Sequence, residues 1–595
     1  MEPVQSQSRP EPGEPEEISR FHEVVERRVI RKLDYILLPF LSLLFLLNSL
    51  DRSNIGNAET AHFTRDAGLD PKDLNTAVAC FFAFFVALQP VGAAAGRKFG
   101  MGRWVPTVMA LWGLFTMLHV WINKRWQLIT VRILIGCLEA GFYPTTVSYL
   151  SLFYTRYEFA RRLSLFYGQY AVAGALGGFL AFVIFYCFPP ADGTDAGNLS
   201  PGGWKPWQTL FLIEGALTML VAIVGFFWLP RSPGTAWFLN KEERTLADVR
   251  IRIDRDSLES GHHKEFPDSA SSAGHDDLTH IQSASDEEER RLLSSHSTSQ
   301  HTGTITDTTS DSGLSKTDIL SSILFLPLIG PILIMNIASS IPGTAFSIFL
   351  PLVMESLNLS SPLYSNLLTV PPFLIAAVTL YLFSRGSDRS HQRILPILCG
   401  LGLITLGLIM TLVMSYTPEW SVPHKALAQY LSLCLLLSGS FVPSPLTVAW
   451  LSDNIPQPGK RAIILGVNGW GNLAGVLAAL LFAPRWRSNE YRVPLFVTLG
   501  FVVFSFLGFV GLEFMLTRLN AARVKASKTE DLRCDRDDVE ADESLMQNIP
   551  SAAVIGGSWW DVTIRHWVGE RFLRLSRDEA FLRRGDEKVT FTYGL

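Results

Sequence analysis

Residues 33–59 read LDYILLPFLSLLFLLNSLDRSNIGNAE. From Leu33 to Leu50 the only charge is Asp34, and then Asp51 and Arg52 arrive side by side before the apolar run resumes through Ile55, Gly56 and Ala58. A helix needs about 20 apolar residues to cross the hydrocarbon core of a membrane. This stretch is roughly 27 residues long, so the acid and the base fall inside the span. A charge at mid-bilayer costs about 2.5–3.5 kcal/mol, and such residues face a bundle interior or a watery cavity. Asn48, Asp51, Arg52 and Glu59 share one helix face. Two readings stay open at this point: a buried ion pair that holds helices together, and a binding and coupling site.

The remainder of the chain agrees with a membrane protein. Of its 595 residues 48% are hydrophobic, and the mean hydropathy is +0.23 in spite of long polar segments. Eleven further apolar stretches of spanning length follow, near 74–95, 104–122, 127–152, 163–188 and 208–229, then 319–354, 363–384, 394–415, 426–451, 462–483 and 493–516. The expected fold class is an all-α membrane protein with twelve transmembrane helices in two six-helix halves. The expected parts are an N-terminal tail (1–32), a first half (33–230), a central loop (231–318), a second half (319–517) and a C-terminal tail (518–595).

With the N-terminus inside, the inner segments carry sixteen Lys and Arg against nine in the outer loops. This excess places both termini and the central loop in the cytoplasm, and the expected location is the plasma membrane. A net charge of −4 gives no indication of a nucleic-acid partner. The six cysteines show no metal-binding or disulfide spacing, and the loop histidines lack ligand spacing. No cofactor and no metal are expected. There is also no nucleophile–base set or nucleotide-binding Gly loop, so an enzyme is a poor fit.

The acidic, Pro-rich start of the chain has no apolar core and is no signal peptide. Ser257–Ser315 is rich in Ser, Thr, Asp, Glu and His, a composition that cannot offset ordering entropy, so disorder is expected. KEERTLADVRIRIDRD at 241–256 and RHWVGERFLRL at 565–575 suggest amphipathic surface helices. The sequon Asn198-Leu199-Ser200 is followed by Pro201, which disfavours glycosylation.

A second charged span reads QLITVRILIGCLEAGFYPTTVSYL at 127–150. Arg132 and Glu139 are two turns apart and point the same way. Arg132 could pair with Glu139 or Asp51 simply to satisfy burial; the alternative is again a functional set. In the loop after the second span, GAAAGRKFGMGR carries Gly92, Arg97, Gly100 and Arg103; in the loop after the eighth, SRGSDRSHQR carries Asp388, Arg389 and Arg393. The same device at the same place in each half suggests two related repeats. Glycines within the helices suit close packing, and Pro144, Pro327, Pro331 and Pro342 are candidate kinks.

LDRSNIGNA at 50–58, RILIGCLEAGFYP at 132–144, RRLSLFYGQYAVAGALGG at 161–178, WQTLFLIEG at 207–215, KRAIILGVNGWGNLAG at 460–475 and the closing GDEKVTFTYGL resemble the major facilitator superfamily. More narrowly they resemble its anion:cation symporter family, in the fungal branch of allantoate, nicotinate, pantothenate and biotin permeases. The likeness covers about 20–230 and 318–520. Gly96 stands where the first loop usually has Asp, Ser384 and His391 replace glycines in the second, and the central insert is longer than usual for the branch.

The resemblance implies a secondary active transporter that carries a small organic anion with protons by alternating access, as a monomer in the lipid bilayer. It implies proton coupling at Asp51 and Glu139 and substrate binding at Arg52, with Arg132 as partner or gate. Gln169, Asn468 and Asn472 become candidate substrate contacts, beside Asn48 on the first helix. Two alternatives use the same residues or the same fold: a proton-antiport exporter of an acidic metabolite, and a non-transporting nutrient sensor.

Overall fold

The computed structural model describes residues 24–188, 204–259, 316–356, 362–390, 392–416, 422–455, 458–534, 563–576 and 593–594. Most of the serine-rich loop and the sequon at Asn198 lie outside the described residues. Twelve of the described helices are long and apolar enough to cross a membrane. They are α1 (Val24–Thr60), α2 (Pro71–Gly96), α3 (Met101–Trp121), α4 (Arg125–Leu150), α5 (Leu165–Cys187) and α6 (Pro206–Trp228). The second set is α7 (Leu326–Ser356), α8 (Tyr364–Ser390), α9 (Ile394–Tyr416), α10 (His424–Asp453), α11 (Ile463–Leu481) and α12 (Arg492–Lys525). Each matches an expected stretch, because an apolar run in lipid can satisfy its backbone only as a helix or a closed barrel. α1 begins earlier than expected, as Val25, Val29 and Leu33 extend its buried stripe at i, i+4 spacing.

Within the first six helices α1 packs on α5, α2 on α4 and α3 on α6. Within the second six α7 packs on α11, α8 on α10 and α9 on α12, which is the same pattern carried six helices on. The halves meet through α1 against α7, α2 against α11 and α5 against α8, so the contact is itself symmetric under exchange of the halves. Small residues permit the approach: a Cβ at Gly56 of α1 would fall on the Ile348 carbonyl of α7.

The end of the bundle at which α1 begins is the near end, and the opposite one is the far end. At the far end Asn75 Nδ2 donates to the carbonyls of Ala479 (2.7 Å) and Phe482 (3.0 Å), joining α2 to α11. There too Asn366 of α8 donates to Thr60 Oγ1 of α1 at 2.8 Å. At the near end Tyr167 of α5 reaches Ser444 of α10 at 3.4 Å.

Gly92 corrects the loop reading of the first motif. The helix continues to Phe99 through an Ala-rich run, and Gly92 sits inside it, against Gly141 of α4. Gly100, at φ 87°, makes the turn that glycine favours. The Arg97 side chain lies outside the described residues. In the second motif Arg393 bridges Asp388 and, at 3.1 Å, Asp453 of α10, while Arg389 is exposed.

The segment after α6 forms the expected amphipathic helix, Lys241–Glu259, which docks on the first half. Its Arg250 binds Glu158 (3.0 Å) and Glu26 (3.3 Å), and its Glu243 meets Lys32 at 2.6 Å. The helical turn around 565–572 packs Ile564, Val568, Leu573 and Leu575 against Leu320 and Leu324, ahead of α7. Trp567 and Phe572 remain exposed there.

Candidate functional site

The charges of α1 and α4 meet in the middle of the first half. Arg52 Nε lies 2.8 Å from Glu139 Oε2, and its Nη2 donates to Asn48 Oδ1 at 3.2 Å. The guanidinium lies over the rings of Phe85 (4.4 Å) and Phe81 (5.8 Å) of α2. Asp51 points the other way round the same helix and accepts from Thr116 Oγ1 of α3 at 2.9 Å. Asp51 and Glu139 act on each other electrostatically, while Asp51 Oδ2 and Glu139 Oε1 have no hydrogen-bond partner. Asp51, Arg132, Glu139 and Glu214 are buried, each 3% exposed or less.

Arg132 does not pair with Glu139, although both face the same way. Seven residues of α-helix rise about 10.5 Å, too far for contact, and Glu139 leans instead to Arg52. Arg132 lies in the field of Asp51, Glu139 and Glu214, with Nε and Nη2 lacking a hydrogen-bond partner.

Two members of this cluster were not found from the sequence. Glu214 is the single charge within α6, and neither of its carboxylate oxygens has a partner. His119, at the far end of α3, is fully buried and stacks on Phe211 at 4.6 Å. Its Nδ1 faces the carbonyls of Phe115 (3.2 Å) and Thr116 (3.1 Å), so it must carry the proton there. A lone acid in an otherwise apolar span was the available signal for Glu214.

Other candidates lie around this core rather than in it. Asn468 accepts from Asn336 Nδ2 of α7 at 3.1 Å, on the second-half side. Asn472 turns back to the Gly469 carbonyl at 2.8 Å, and Gln169 turns back to the Leu165 carbonyl at 3.4 Å. Neither joins the charges. Glu59 caps the Thr64 N–H and hydroxyl at the far end. The neighbours of Gln169 do face the centre: Tyr170 donates to Ser347 Oγ across the halves at 3.0 Å. Gln89 of α2 is buried with a free Oε1 and stands against Gly469.

The site therefore offers two arginines, three acids, a histidine and a wall of Phe and Tyr rings. An arginine fork suits a carboxylate, which it binds with two parallel hydrogen bonds. Among the described residues no group of three or more His, Cys, Asp or Glu could hold a metal ion.

Comparison with known proteins adds four findings. The family model for the Major Facilitator Superfamily matches residues 41–480. The chain is similar to an uncharacterized transporter of Schizosaccharomyces pombe, 29% identical, covering 80% of each chain. It is also similar to the high-affinity nicotinic acid transporter of Saccharomyces cerevisiae, 25% identical over 83% of this chain and 79% of that one. Among solved structures, the proton:xylose symporter XylE bound to 6-bromo-6-deoxy-D-glucose shares the fold, with a TM-score of 0.52 and 15% identity. That match covers 80% of this chain and 94% of the other.

Proposed function

The chain belongs to the Major Facilitator Superfamily, and on that premise we propose that it is a proton-coupled symporter of a small organic anion. It is a multi-pass membrane transporter and not an enzyme. The observation that carries the finer reading is the Arg52–Glu139 pair at 2.8 Å, with Asp51 buried beside Arg52 on the same helix. Two arginines cannot neutralise Asp51, Glu139 and Glu214 together, and an uncompensated buried charge costs several kcal/mol. One proton within the cluster restores the balance.

In this reading the substrate carboxylate competes with Glu139 for the Arg52 fork. A proton on Glu139 frees the fork, so proton and anion bind with positive coupling, and the coupling is reciprocal. Asp51 stores the second proton and Arg132 holds the unprotonated acids in place. Asn336 and Asn468 supply neutral contacts from the second half. The rings around Arg52 favour a flat, ring-bearing carboxylate such as nicotinate over allantoate, pantothenate or biotin. The relative named as a nicotinic acid transporter supports that choice. The charge set also speaks against a sensor, which would not need it, while the direction of transport follows the gradients.

The loop charges support near end inside, with both termini in the cytoplasm of a plasma-membrane protein. A tag placed in 231–318 should then be reachable only in permeabilised cells. Reaction of that tag on intact cells overturns the orientation.

The coupling test compares proton-driven uptake of labelled nicotinate with counterflow in the same vesicles. Asp51→Asn or Glu139→Gln should bind substrate with weaker pH dependence, keep counterflow and lose accumulation. If both variants still accumulate substrate against its gradient, these residues are members of a structural ion pair.

A further inference from the structure

Tyr593 and Gly594 are held at the near end of the second half by four hydrogen bonds, all to side chains. Asn520 of α12 takes both main-chain groups of Tyr593: Nδ2 donates to its carbonyl at 2.8 Å, and Oδ1 accepts from its N–H at 2.9 Å. Gly594 is treated in the same way from α10. Its N–H donates to Asn454 Oδ1 at 2.7 Å, and its carbonyl accepts from Trp450 Nε1 at 2.8 Å. The reading groups are themselves fixed, since Asn454 Nδ2 donates to the Trp450 carbonyl at 2.9 Å. Tyr593 is 3% exposed, with the Arg523 guanidinium 4.8 Å from its ring centre. A Cβ on Gly594 would meet Asn454 at 3.7 Å, an ordinary contact.

These four bonds use every main-chain polar group of the two residues. The cleft therefore reads backbone, as a sheet edge reads an added strand, but with Asn and Trp side chains in place of a neighbouring strand. Its one side-chain preference is an aromatic ring under Arg523.

The cleft is attached to the second piece of a broken helix. α10 is built of two helices, Val422–Ser440 and Pro443–Asp453, interrupted at Phe441 and Val442. The second piece carries Trp450 beside the peptide, Asp453 in the Arg393 ion pair, and Ser444 in the contact across to Tyr167. α4 is interrupted at the same place in the other half, after Glu139, but no described segment straps its second piece to α6 in this manner.

We propose that the cleft between the near ends of α10 and α12 is a peptide-binding site for an extended segment with a tyrosine, and that Tyr593–Gly594 is its resident, exchangeable ligand. Its occupancy holds the Pro443–Asp453 piece against α12. This proposal stands whether or not the transported anion is the one inferred above.

The test uses the otherwise intact protein ended after Thr592, in lipid nanodiscs, and a fluorescent synthetic peptide of residues 586–595. Saturable binding is expected. Loss of two hydrogen bonds in Asn520→Ala should weaken it roughly 10- to 100-fold. A peptide with Ala in place of Tyr593 should bind about tenfold more weakly or worse, and one with Ala in place of Gly594 within a few-fold. Reaction of a Ser444→Cys thiol in the shortened protein should slow when peptide is added. A shortened protein that unfolds at an unchanged temperature yet binds no peptide overturns the proposal. Should the shortened chain fail to fold, a protease site inserted at 580 in the full chain is cut after purification. Entry of labelled peptide then supports an exchangeable site, and exclusion of it over hours shows a fixed structural contact and overturns the proposal.

Discussion

In the first half, α1, α4 and α6 bring Asp51, Arg52, Arg132, Glu139 and Glu214 to the middle of the bundle. In the second, the corresponding α7, α10 and α12 bring Asn336, Ser347, Ser440, Thr447 and Ser505, all buried. The buried charges among the described residues of the second half and the tail that follows it, Lys460, Arg523 and Arg565, belong to the near end. Most of the second-half hydroxyls are satisfied within their own helices: Ser347 by the Thr344 carbonyl (2.7 Å), Ser440 by Leu436 (2.8 Å) and Thr447 by Pro443 (2.8 Å). Such bonds hold at any pH and in any arrangement of the helices. The charges of the first half have no such refuge. Asp51, Arg52 and Glu139 meet partners on other helices and the Glu214 carboxylate has no hydrogen-bond partner, so their cost depends on which helices face each other and on how many protons are present. Two halves with one packing pattern thus differ in what a proton can do to them.

The largest effect should follow from removing Arg132. Arg132→Ala leaves three acids with one arginine, and breaking a buried charge set costs about 3–5 kcal/mol. Thermal unfolding in detergent should fall sharply, and Glu214→Gln in the same chain should recover part of the loss. An Arg132→Ala protein as stable as the parent would mean that the acids are not balanced as a set.

Arg52→Lys comes next. It keeps the charge and loses the fork, and hydrogen bonds to charged groups contribute about 1.5–3 kcal/mol, so uptake should fall roughly 10- to 100-fold. Normal uptake by the lysine variant would remove the two-bond role of Arg52 while leaving its pairing role.

On the neutral side, Asn468→Ala deletes one hydrogen bond, to Asn336, and should weaken apparent substrate affinity about two- to tenfold. The sharper expectation concerns pH: the profile of uptake should keep its shape in Asn468→Ala and flatten in Glu139→Gln. A shifted profile in the asparagine variant would show that the second half takes part in proton handling.

The twelve spans were legible because an apolar run of that length has few other fates, and Asp51, Arg52, Arg132 and Glu139 were legible because each violates its surroundings. The pairing among them was not. Helix periodicity places Arg132 and Glu139 on one face, but rise along the axis separates them, and only the tertiary arrangement that brings the side chains of α1 and α4 together gives Glu139 to Arg52. Rotation about the axis similarly decides that Tyr170 faces Ser347 while Gln169 turns to its own helix. The cleft that holds Tyr593 was beyond reach, since Asn520 and Tyr593 are 73 residues apart in sequence and no local pattern links them.

The smallest expected effect tests how the halves are held together rather than what they contain. At the far end one side chain, Asn75, spans them with two donated hydrogen bonds to α11. Both acceptors are backbone carbonyls near the end of α11, and in Asn75→Ala water can reach carbonyls that parting of the halves exposes. The loss therefore falls on the far-closed arrangement alone. Two neutral hydrogen bonds at about 0.5–1.5 kcal/mol each shift a two-state balance by roughly 5- to 100-fold. The Asn366–Thr60 bond, 2.8 Å long, remains to resist the change and favours the lower part of that range. A Thr64→Cys thiol at the far end should react faster with an impermeant maleimide in Asn75→Ala, while thermal stability changes little. Uptake should change less than twofold to threefold if the far-closed arrangement is only one station of a cycle limited elsewhere. An unchanged thiol reaction rate would mean that the far end is closed by apolar packing of α1 on α7 and α5 on α8, and that the asparagine clamp merely decorates it.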